Sequence, residues 1–382
     1  MGFSFVSFRT VFLLVCSVFN IDAAGYFENG TALERTAKQF FPFFPVGVVR
    51  FENGICTGSG SLDGTCYTRR QCADFDGIGS TSCANGIGVC CVIQRSCGES
   101  TQLNNTYFVS PGFPTGFAAS SVCTYTIQKI DPSICQVRID FLTLRLAQPN
   151  IMGVCNTDAL IVTGGASNVP ILCGENTGQH IYVDFNGNTS ITISIRSSGL
   201  FASRAWNIKV SQIACNCPYR APSGCLQFYN TTTGTVTSFN YGSVAPQNGT
   251  RQLVNMNYGI CVATIRGFCG IQWAQTAGTM TFTVSDNTYT FIGDGTIGTA
   301  AAQQTGAACT ADFVVIPGPI LPDGTALTSD RFCGNAFVTL QTFSQPFVMT
   351  VVTNGDETGD MGNAGFSMTF TQLSCGMNIF VG

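Results

Sequence analysis

Histidine and cysteine decide which chemistry this sequence could perform. The 382 residues include 20 cysteines but a single histidine, His180. A zinc site with several histidines is therefore excluded, and any Ser-His-Asp or Cys-His centre would have to use His180. The sequence contains no Gly-Asp-Ser-Gly-Gly nucleophile segment and no Ala-Ala-His-Cys segment. We therefore predict no catalytic residues and no enzyme activity, and we interpret His180 as a surface or turn histidine beside a strand.

The cysteines are expected to form disulfides, because the chain begins like a secretory signal peptide. Arg9 precedes an apolar run at residues 11–19 that is too short to cross a bilayer, and small residues near Ala23 provide a cleavage site. We predict that residues 1–23 are removed and that the protein is secreted into the oxidising extracellular space. Five Asn-x-Ser/Thr sequons are predicted to carry glycans: Asn29, Asn104, Asn188, Asn230 and Asn248.

The composition excludes several classes of fold and partner. Charged residues make up 10% of the chain, against about 25% in typical soluble domains. With 43 glycines and 31 phenylalanines, this low charge argues against a coiled coil, a helical bundle or an acidic disordered chain. The formal net charge of -4 disfavours nucleic acid as a partner. After the signal, no apolar run is long enough to span a membrane.

The cysteines that remain after signal removal fall into three groups, with Cys217 left over. The second and third groups belong to two copies of one domain, because Cys155-Asn-Thr-Asp158 matches Cys309-Thr-Ala-Asp312 and 41 residues separate the last two cysteines of each group. We infer an internal duplication. The groups are Cys56, Cys66, Cys72, Cys83, Cys90 and Cys91; Cys97, Cys123, Cys135, Cys155, Cys173 and Cys215; and Cys225, Cys261, Cys269, Cys309, Cys333 and Cys375.

Alternation of apolar and polar residues predicts the elements that carry these cysteines. In residues 191–196, for example, three isoleucines alternate with Thr192, Ser194 and Arg196. Such a pattern is typical of half-buried antiparallel strands whose apolar face meets another sheet. Residues 313–316 and 347–352 predict more buried strands, and no long amphipathic helix is evident. We predict an all-β protein with two tandem antiparallel β-sandwiches, preceded by a small disulfide-rich module.

The second cysteine group and the residues around it resemble a CUB domain, an extracellular sandwich of the jelly-roll type. The resemblance rests on Tyr107-Phe-Val-Ser-Pro-Gly-Phe-Pro114, Cys123-Thr-Tyr-Thr-Ile127, Cys155-Asn-Thr-Asp158 and Trp206. The third group resembles the same family through its match to the second. The whole layout is similar to secreted arthropod CUB-domain proteins. It implies CUB-like domain 1 at 97–215, a linker at 216–224, a divergent CUB-like domain 2 at 225–375 and a tail at 376–382.

The first cysteine group resembles a clip domain, a small knot of arthropod protease zymogens and their inactive relatives. The spacing of Cys56, Cys66, Cys72, Cys83 and the adjacent pair at 90–91 carries this resemblance. It implies a clip-like knot at 56–91. The preceding residues 24–55 form an extended segment with several Phe and Pro residues, which we expect to pack onto a neighbouring domain.

The two resemblances imply disulfide partners. A CUB domain usually has four cysteines, and the pattern implies that the first is joined to the second and the third to the fourth. One further pair of cysteines then remains in each copy. The implied pairs in the sandwiches are Cys97–Cys123, Cys155–Cys173, Cys135–Cys215, Cys225–Cys261, Cys309–Cys333 and Cys269–Cys375. The clip pattern implies Cys56–Cys90, Cys66–Cys83 and Cys72–Cys91.

The CUB resemblance also raises the question of calcium. Many CUB domains bind it with a Glu, an Asp after the third usual cysteine and an Asp in a late loop. In the first copy only Asp158 is present, because Gln148 stands near the Glu position and serines at 197–198 fill the late loop. We therefore expect calcium to have little effect on the first sandwich.

The second copy retains more of the calcium pattern. Asp312 and Asp356 fit two of the positions, and Asp286 is the candidate for the displaced third. The simpler alternative is that Asp158 and Asp312 accept hydrogen bonds from backbone N–H groups at strand ends. We predict no other cofactor.

These features suggest two hypotheses about function and one about assembly. The leading hypothesis is a secreted, non-catalytic recognition or adhesion protein that binds an extracellular protein or glycan through its sandwiches. The alternative is a regulator or inhibitor of extracellular clip-type protease cascades, through Arg69 and Arg70 in the knot, although a solvated loop is the simpler interpretation of that pair. Cys217 is predicted to be unpaired or interchain, giving a disulfide-linked dimer.

Overall fold

The computed structural model describes residues 51–199, 201–242, 250–278, 280–285, 295–358 and 362–376. The expected signal peptide, most of the Phe- and Pro-containing segment, Asn29, Asn248 and Asp286 lie outside these residues. The all-β prediction is confirmed. The chain divides into two units, residues 1–92 and 93–382. Within the described ranges, no helix is long and apolar enough to cross a membrane.

The first unit contains a small sheet and one helix joined by three disulfides. Its strands pair antiparallel in the order β1-β2-β4-β3, where β1 is Ile55–Thr57, β2 is Asp63–Tyr67, β3 is Ile78–Cys83 and β4 is Gly88–Arg95. Helix α1, Arg69–Asp74, begins at a capping box in which Thr68 and Gln71 bond each other's backbone N–H groups. The bridges are Cys56–Cys90, Cys66–Cys83 and Cys72–Cys91. They stabilise a module that is too small to bury a large core.

The first sandwich packs two four-stranded sheets face to face. One has the order β6-β12-β8-β10 and continues into residues 93–95 of β4, and the other has the order β5-β7-β11-β9. The strands are β5 Glu99–Thr101, β6 Thr106–Val109, β7 Ser120–Ile127, β8 Ile134–Arg145, β9 Ala159–Thr163, β10 His180–Asp184, β11 Ile191–Ser198 and β12 Ala205–Ala214.

Aromatic rings from both sheets fill the core of the first sandwich. Phe108 on β6 stacks on Tyr125 of the facing sheet at 5.1 Å between ring centroids, and Trp206 on β12 lies 5.7 Å from Phe108. The isoleucines of β11 are buried while Thr192, Ser194 and Arg196 point outward, as the alternation predicts. Burying rings of this size supplies much of the driving force for closing the sandwich.

The second sandwich also consists of two sheets over the described residues. Their orders are β13-β15-β23-β19-β21-β18 and β14-β24-β16-β22-β20, with β17 paired to β24. Trp273, Phe282, Phe366 and Phe370 are buried between them. The strands are β13 Cys225–Tyr229, β14 Thr233–Thr237, β15 Asn257–Val262, β16 Phe268–Gln275, β17 Phe282–Thr283, β18 Gln303–Thr305, β19 Phe313–Val315, β20 Pro319–Ile320, β21 Arg331–Gly334, β22 Leu340–Thr342, β23 Phe347–Val352 and β24 Gly365–Ser374.

Six disulfides lie within the sandwiches. In each copy one bridge ties a central strand to the end of the last strand beside it: Cys135 on β8 to Cys215 after β12, and Cys269 on β16 to Cys375 after β24. The other four are Cys97–Cys123, Cys155–Cys173, Cys225–Cys261 and Cys309–Cys333. All six pairs have the partners that the CUB resemblance implies.

Cys217 differs from the sequence prediction. It is 9% exposed, its N–H donates to the Ala214 carbonyl in the turn after β12, and it is disulfide-bonded. No described cysteine is free. The structure therefore does not leave Cys217 as an unpaired thiol, contrary to that part of the expectation, whereas the disulfide-linked dimer stays a prediction.

Candidate functional site

The loop end of the first sandwich is organised around a buried ion pair that the sequence analysis missed. Arg204 and Asp158 are both 0% exposed at their side chains. Nε and Nη2 of Arg204 donate to the two carboxylate oxygens of Asp158 at 3.0 and 2.9 Å. This fork-to-fork arrangement is the strongest geometry available to an arginine–carboxylate pair.

Backbone groups from neighbouring loops complete this pair. Nη1 of Arg204 donates to the carbonyl of Phe117 at 3.1 Å and reaches that of Ala119 at 3.5 Å. The Asp158 carboxylate also accepts the N–H groups of Ala147 at 2.9 Å and of Ser198 at 3.4 Å. The backbone hydrogen bonds expected of Asp158 are therefore present, but the dominant partner is a cation. The site does not fit a metal ion, because Arg204 holds both oxygens of the carboxylate.

The other residues at the calcium positions of the first copy are also engaged in hydrogen bonds. Gln148 Oε1 accepts the side-chain N–H of Asn240 from the second sandwich at 2.9 Å. Ser197 Oγ donates to the Ala119 carbonyl at 2.9 Å. Neither residue supplies a charge, so no acidic cluster forms here.

In the second copy the two predicted calcium residues lie in different environments. Asp312 is fully buried and accepts the Asn354 N–H at 2.7 Å and the Gln252 amide at 2.9 Å. Asp356 is exposed and accepts the N–H of Thr358 at 2.9 Å, and the hydrogen bonds from Thr358 lower the pKa of Asp356. Among the described residues, no group of three or more His, Cys, Asp or Glu side chains is arranged to hold a metal.

A second organised region is the face of β8 and β10 that points toward the second sandwich. Antiparallel pairing places three cross-strand pairs on this face, His180 with Asp140, Tyr182 with Arg138 and Asp184 with Gln136. We call these six residues the polar ladder. Gln136 donates to Asp184 at 3.0 Å, and Arg138 bonds both Asp140 at 2.7 Å and the Tyr182 hydroxyl at 3.0 Å.

His180 lies where the ladder meets the second sandwich. Its Nε2 is 3.0 Å from the carbonyl of Phe228 on β13, and its ring makes edge contacts with Tyr182 and Tyr229. Burial, and to a smaller extent the nearby Arg138, lower the pKa of His180 to about 4, although Asp140 and the Phe228 hydrogen bond act in the opposite direction. The sequence interpretation of a surface histidine is therefore wrong, because the second sandwich covers the strand that carries it.

Asn240 makes a second set of contacts between the sandwiches. Its side chain accepts the Glu175 N–H at 2.9 Å and donates to Gln148 and to the Arg251 carbonyl, while its own N–H donates to Asn176 at 2.8 Å. Asn240 is fully buried and has φ +60°. Asn is one of the few residues that adopt this left-handed conformation readily.

The linker itself is bound to the first sandwich. Gln136 accepts the Ala221 N–H at 2.9 Å and donates to the Ala221 carbonyl at 3.0 Å. Gln179 adds bonds to Thr237 and Ser238, each at 2.8 Å. We call these contacts the interdomain seam. On the side of the first sandwich they are made by the polar ladder, Gln148, Asn176 and Gln179. On the other side they are made by Ala221, Phe228, Thr237, Ser238 and Asn240. The seam joins the two sandwiches through these hydrogen bonds and not through a flexible tether.

A cleft of about 500 Å³ lies beside the seam. Asn168 and Asp184 from the first sandwich line one side, and Asn257 and Thr350 from the second line the other. A concave site with a few polar groups is the usual form of a ligand site. The lining includes one carboxylate, amides and hydroxyls, and no lysine, arginine or catalytic group.

The remaining predicted sites are not among the residues of the seam. Arg69 and Arg70 occupy the first turn of α1, not a loop, and Arg70 is paired with Asp74. Of the sequons, Asn188 and Asn230 are exposed. The Asn104 amide instead bonds the backbone of Gln212, accepting its N–H at 2.7 Å.

The family model described as Animal CUB domain matches residues 222–373, and that described as CUB domain matches residues 97–210. A Drosophila melanogaster protein named Cubilin homolog is 27% identical over 128 residues, covering 32% of this chain, and dog (Canis lupus familiaris) Cubilin is 29% identical over 97 residues, covering 22%. The chain spans only 3% and 2% of the length of these two relatives.

Two solved structures that are similar to this chain share low sequence identity with it. The CUB1-EGF-CUB2 domains of rat MASP-1 are 13% identical with a TM-score of 0.24, covering 71% of this chain and 99% of that one. The MASP-1 CUB2 domain bound to Ca2+ is 21% identical with a TM-score of 0.25, covering 30% of this chain and 98% of that one.

Proposed function

Because this chain is a CUB-domain protein with two copies of that domain, we propose that it is a secreted, non-catalytic recognition or adhesion protein. CUB domains are generally binding modules without catalytic activity, and they bind extracellular proteins. The ligand is an extracellular protein or glycan. Loops and clefts on a stable scaffold suit this role, since they vary without disturbing the core.

The observation that carries the proposal is the cleft beside the interdomain seam. Asp184 reaches it from the first sandwich and Asn257 from the second, so a bound ligand contacts both domains. Hydrogen bonds of the seam hold both walls in place before a ligand arrives. Preorganisation of this kind reduces the entropy that binding would otherwise cost.

Affinity capture tests the binding function. The purified full chain is immobilised, offered extracellular fluid and a glycan array, and compared with Asn257→Arg, which places a long cation in the cleft. Asn186→Arg, at an exposed turn in the first sandwich and outside any sequon, is the matched control. We expect one ligand that binds wild type and Asn186→Arg but not Asn257→Arg. Absence of any ligand retained by wild type above a blank surface contradicts the binding function.

Secretion and glycosylation have a separate test. Expression of the complete sequence in eukaryotic cells is expected to release a protein that begins at Ala24 and loses mass when its glycans are removed enzymatically. Asn188 and Asn230 are the expected glycan sites among the exposed sequons. A protein retained inside the cell, or one with an intact residue 1–23 segment, contradicts this part of the proposal.

Protease regulation through the knot is the alternative function. Proteases bind substrates and substrate-like inhibitors as extended chains, whereas Arg69 and Arg70 lie in a capped helical turn. A protease-inhibition assay with Arg69→Ala and Arg70→Ala distinguishes the two functions. Inhibition by wild type that both variants lose would favour the alternative.

A further inference from the structure

The oxygen atoms around the Arg204–Asp158 pair of the first CUB domain are of the kinds that surround a bound cation. The cation that they surround is the side chain of Arg204. Two carboxylate oxygens of Asp158 and the carbonyl oxygens of Phe117 and Ala119 converge on one positive group. Carboxylate and carbonyl oxygens are also the ligands that calcium prefers. Here the positive group is the guanidinium of Arg204.

We propose that Arg204 is a built-in cation that organises the loop end of the first CUB domain, in the structural role that a metal ion would otherwise have. The order of these loops, and of the interdomain seam attached to them, is therefore independent of calcium. Arg204 acts here as a positioning residue, through Asp158 and the backbone of three loops.

Electrostatics prevents a metal ion from sharing this position. Asp158 and Arg204 are completely buried, so each charge depends on the other for compensation. A divalent cation at Asp158 would have to displace the guanidinium and leave it buried without a counter-charge, which is strongly unfavourable. The pair thus excludes the metal as well as replacing it.

A series of hydrogen bonds links Asp158 to the second CUB domain. The Ala147 N–H donates to Asp158, and the Ala147 carbonyl accepts the Gly174 N–H at 2.9 Å. The next residue, Glu175, donates its N–H to Asn240 of the second domain at 2.9 Å. Gln148, beside Ala147, bonds the same Asn240 side chain. Loops held by Arg204 therefore carry one side of the interdomain seam.

The second copy provides an internal comparison. Alignment of Trp206 with Phe366, each nine positions before the last cysteine of its copy, places Ala364 opposite Arg204. Asp312, the counterpart of Asp158, accepts a hydrogen bond from the neutral amide of Gln252. The second copy therefore has no arginine at the position that corresponds to Arg204.

Hydrogen exchange of the full wild-type chain, measured by mass spectrometry, tests the proposal without any mutation. Exchange is compared in excess calcium and in chelator. We expect residues 117–119, 146–148, 174–176 and 238–241 to exchange at the same rate in both conditions. Faster exchange of residues 117–119 or 146–148 in chelator would show that a metal ion holds these loops, and the proposal would be overturned.

Variants test whether Arg204 is the group responsible. Arg204→Ala is expected to lower the melting temperature by on the order of 10 °C, because it leaves Asp158 buried and uncompensated. It should also accelerate exchange at 117–119, 146–148 and 238–241. Arg196→Ala, which removes an exposed arginine from β11, is the matched control and should change neither measurement.

A conservative variant keeps the test decisive if Arg204→Ala is not obtained folded. Arg204→Lys retains the charge but not the fork, so we expect faster exchange at 117–119 that remains unaffected by chelator. Melting and exchange of Arg204→Ala or Arg204→Lys equal to those of Arg196→Ala would overturn the assignment.

Discussion

His180 is the residue at which a change of pH should act on the joined sandwiches. It lies at the interdomain seam with 7% of its surface exposed. The groups around it are Arg138 and Asp140 on β8, Tyr182 on its own strand, and Tyr229 on β13 of the second sandwich. Protonation would place a positive charge in this buried region close to the guanidinium of Arg138.

The size of the effect follows from the pKa of His180 in the two states. Burial lowers it to about 4 in the folded protein, and an exposed histidine has a pKa of about 6.5. The unfolded chain therefore binds the proton first. Stability is fully present above about pH 6.5 and falls as the pH drops toward 4, by about 3 kcal/mol in total at 1.36 kcal/mol per pKa unit.

Urea unfolding at a series of pH values between 7 and 4 measures this loss. His180→Gln is the matched variant, because glutamine can still donate toward the Phe228 carbonyl but does not titrate. It should be less stable than wild type at pH 7, since it loses the ring contacts with Tyr182 and Tyr229. The stability difference should then shrink as the pH falls, because only wild type loses the histidine contribution.

Subtracting the free energy of unfolding of His180→Gln from that of wild type at each pH removes the contribution of carboxylates that titrate in the same range. Parallel stability profiles for wild type and His180→Gln from pH 7 to pH 4 would refute the reasoning. Such a result would mean that His180 binds a proton in the folded state as easily as in the unfolded state.

Two further predictions concern the seam and the bridges. Asn240→Ala should lower the free energy of unfolding by about 2–4 kcal/mol, because it removes several buried hydrogen bonds. The control Asn255→Ala, at an exposed residue with φ +58°, should lower it only by the backbone strain of about 1 kcal/mol. Equal losses for the two variants would contradict the role of Asn240. Replacing Cys135 and Cys215 together by alanine should cost about 2–5 kcal/mol, measured by denaturant unfolding, and a loss below the error of that measurement would show that the bridge does not stabilise the sandwich.

Local and periodic features were the ones that the sequence could predict. Alternation in residues 191–196 indicates which side of β11 is buried, because a strand turns successive side chains to opposite faces. Gln136 breaks that rule on β8. It is 1% exposed on the polar face, since it bonds Ala221 of the linker, and no pattern within β8 reveals that a second domain covers this face.

Long-range pairs of polar side chains were the features that the sequence could not predict, whereas the long-range disulfides followed from the family resemblance. Arg204 is an isolated arginine two positions before Trp206, and nothing around it identifies Asp158, 46 positions earlier in the chain, as its partner. His180 was misplaced for the same reason, because its burial depends on β13. Asn240 carried a weak signal, since a lone Asn between two aromatic residues is compatible with positive φ.

The bonds between Gln136 and Ala221 also affect any partner that contacts both domains. Two modules on a slack tether can adapt to many spacings, and the second contact then forms at an effective concentration set by the tether. With Ala221 held through both its N–H and its carbonyl, the spacing between the two domains is not adjustable in this way. A partner whose two epitopes match that spacing gains both contacts, and one with a different spacing gains a single contact. We therefore expect the pair of domains to select partners by distance as well as by surface chemistry.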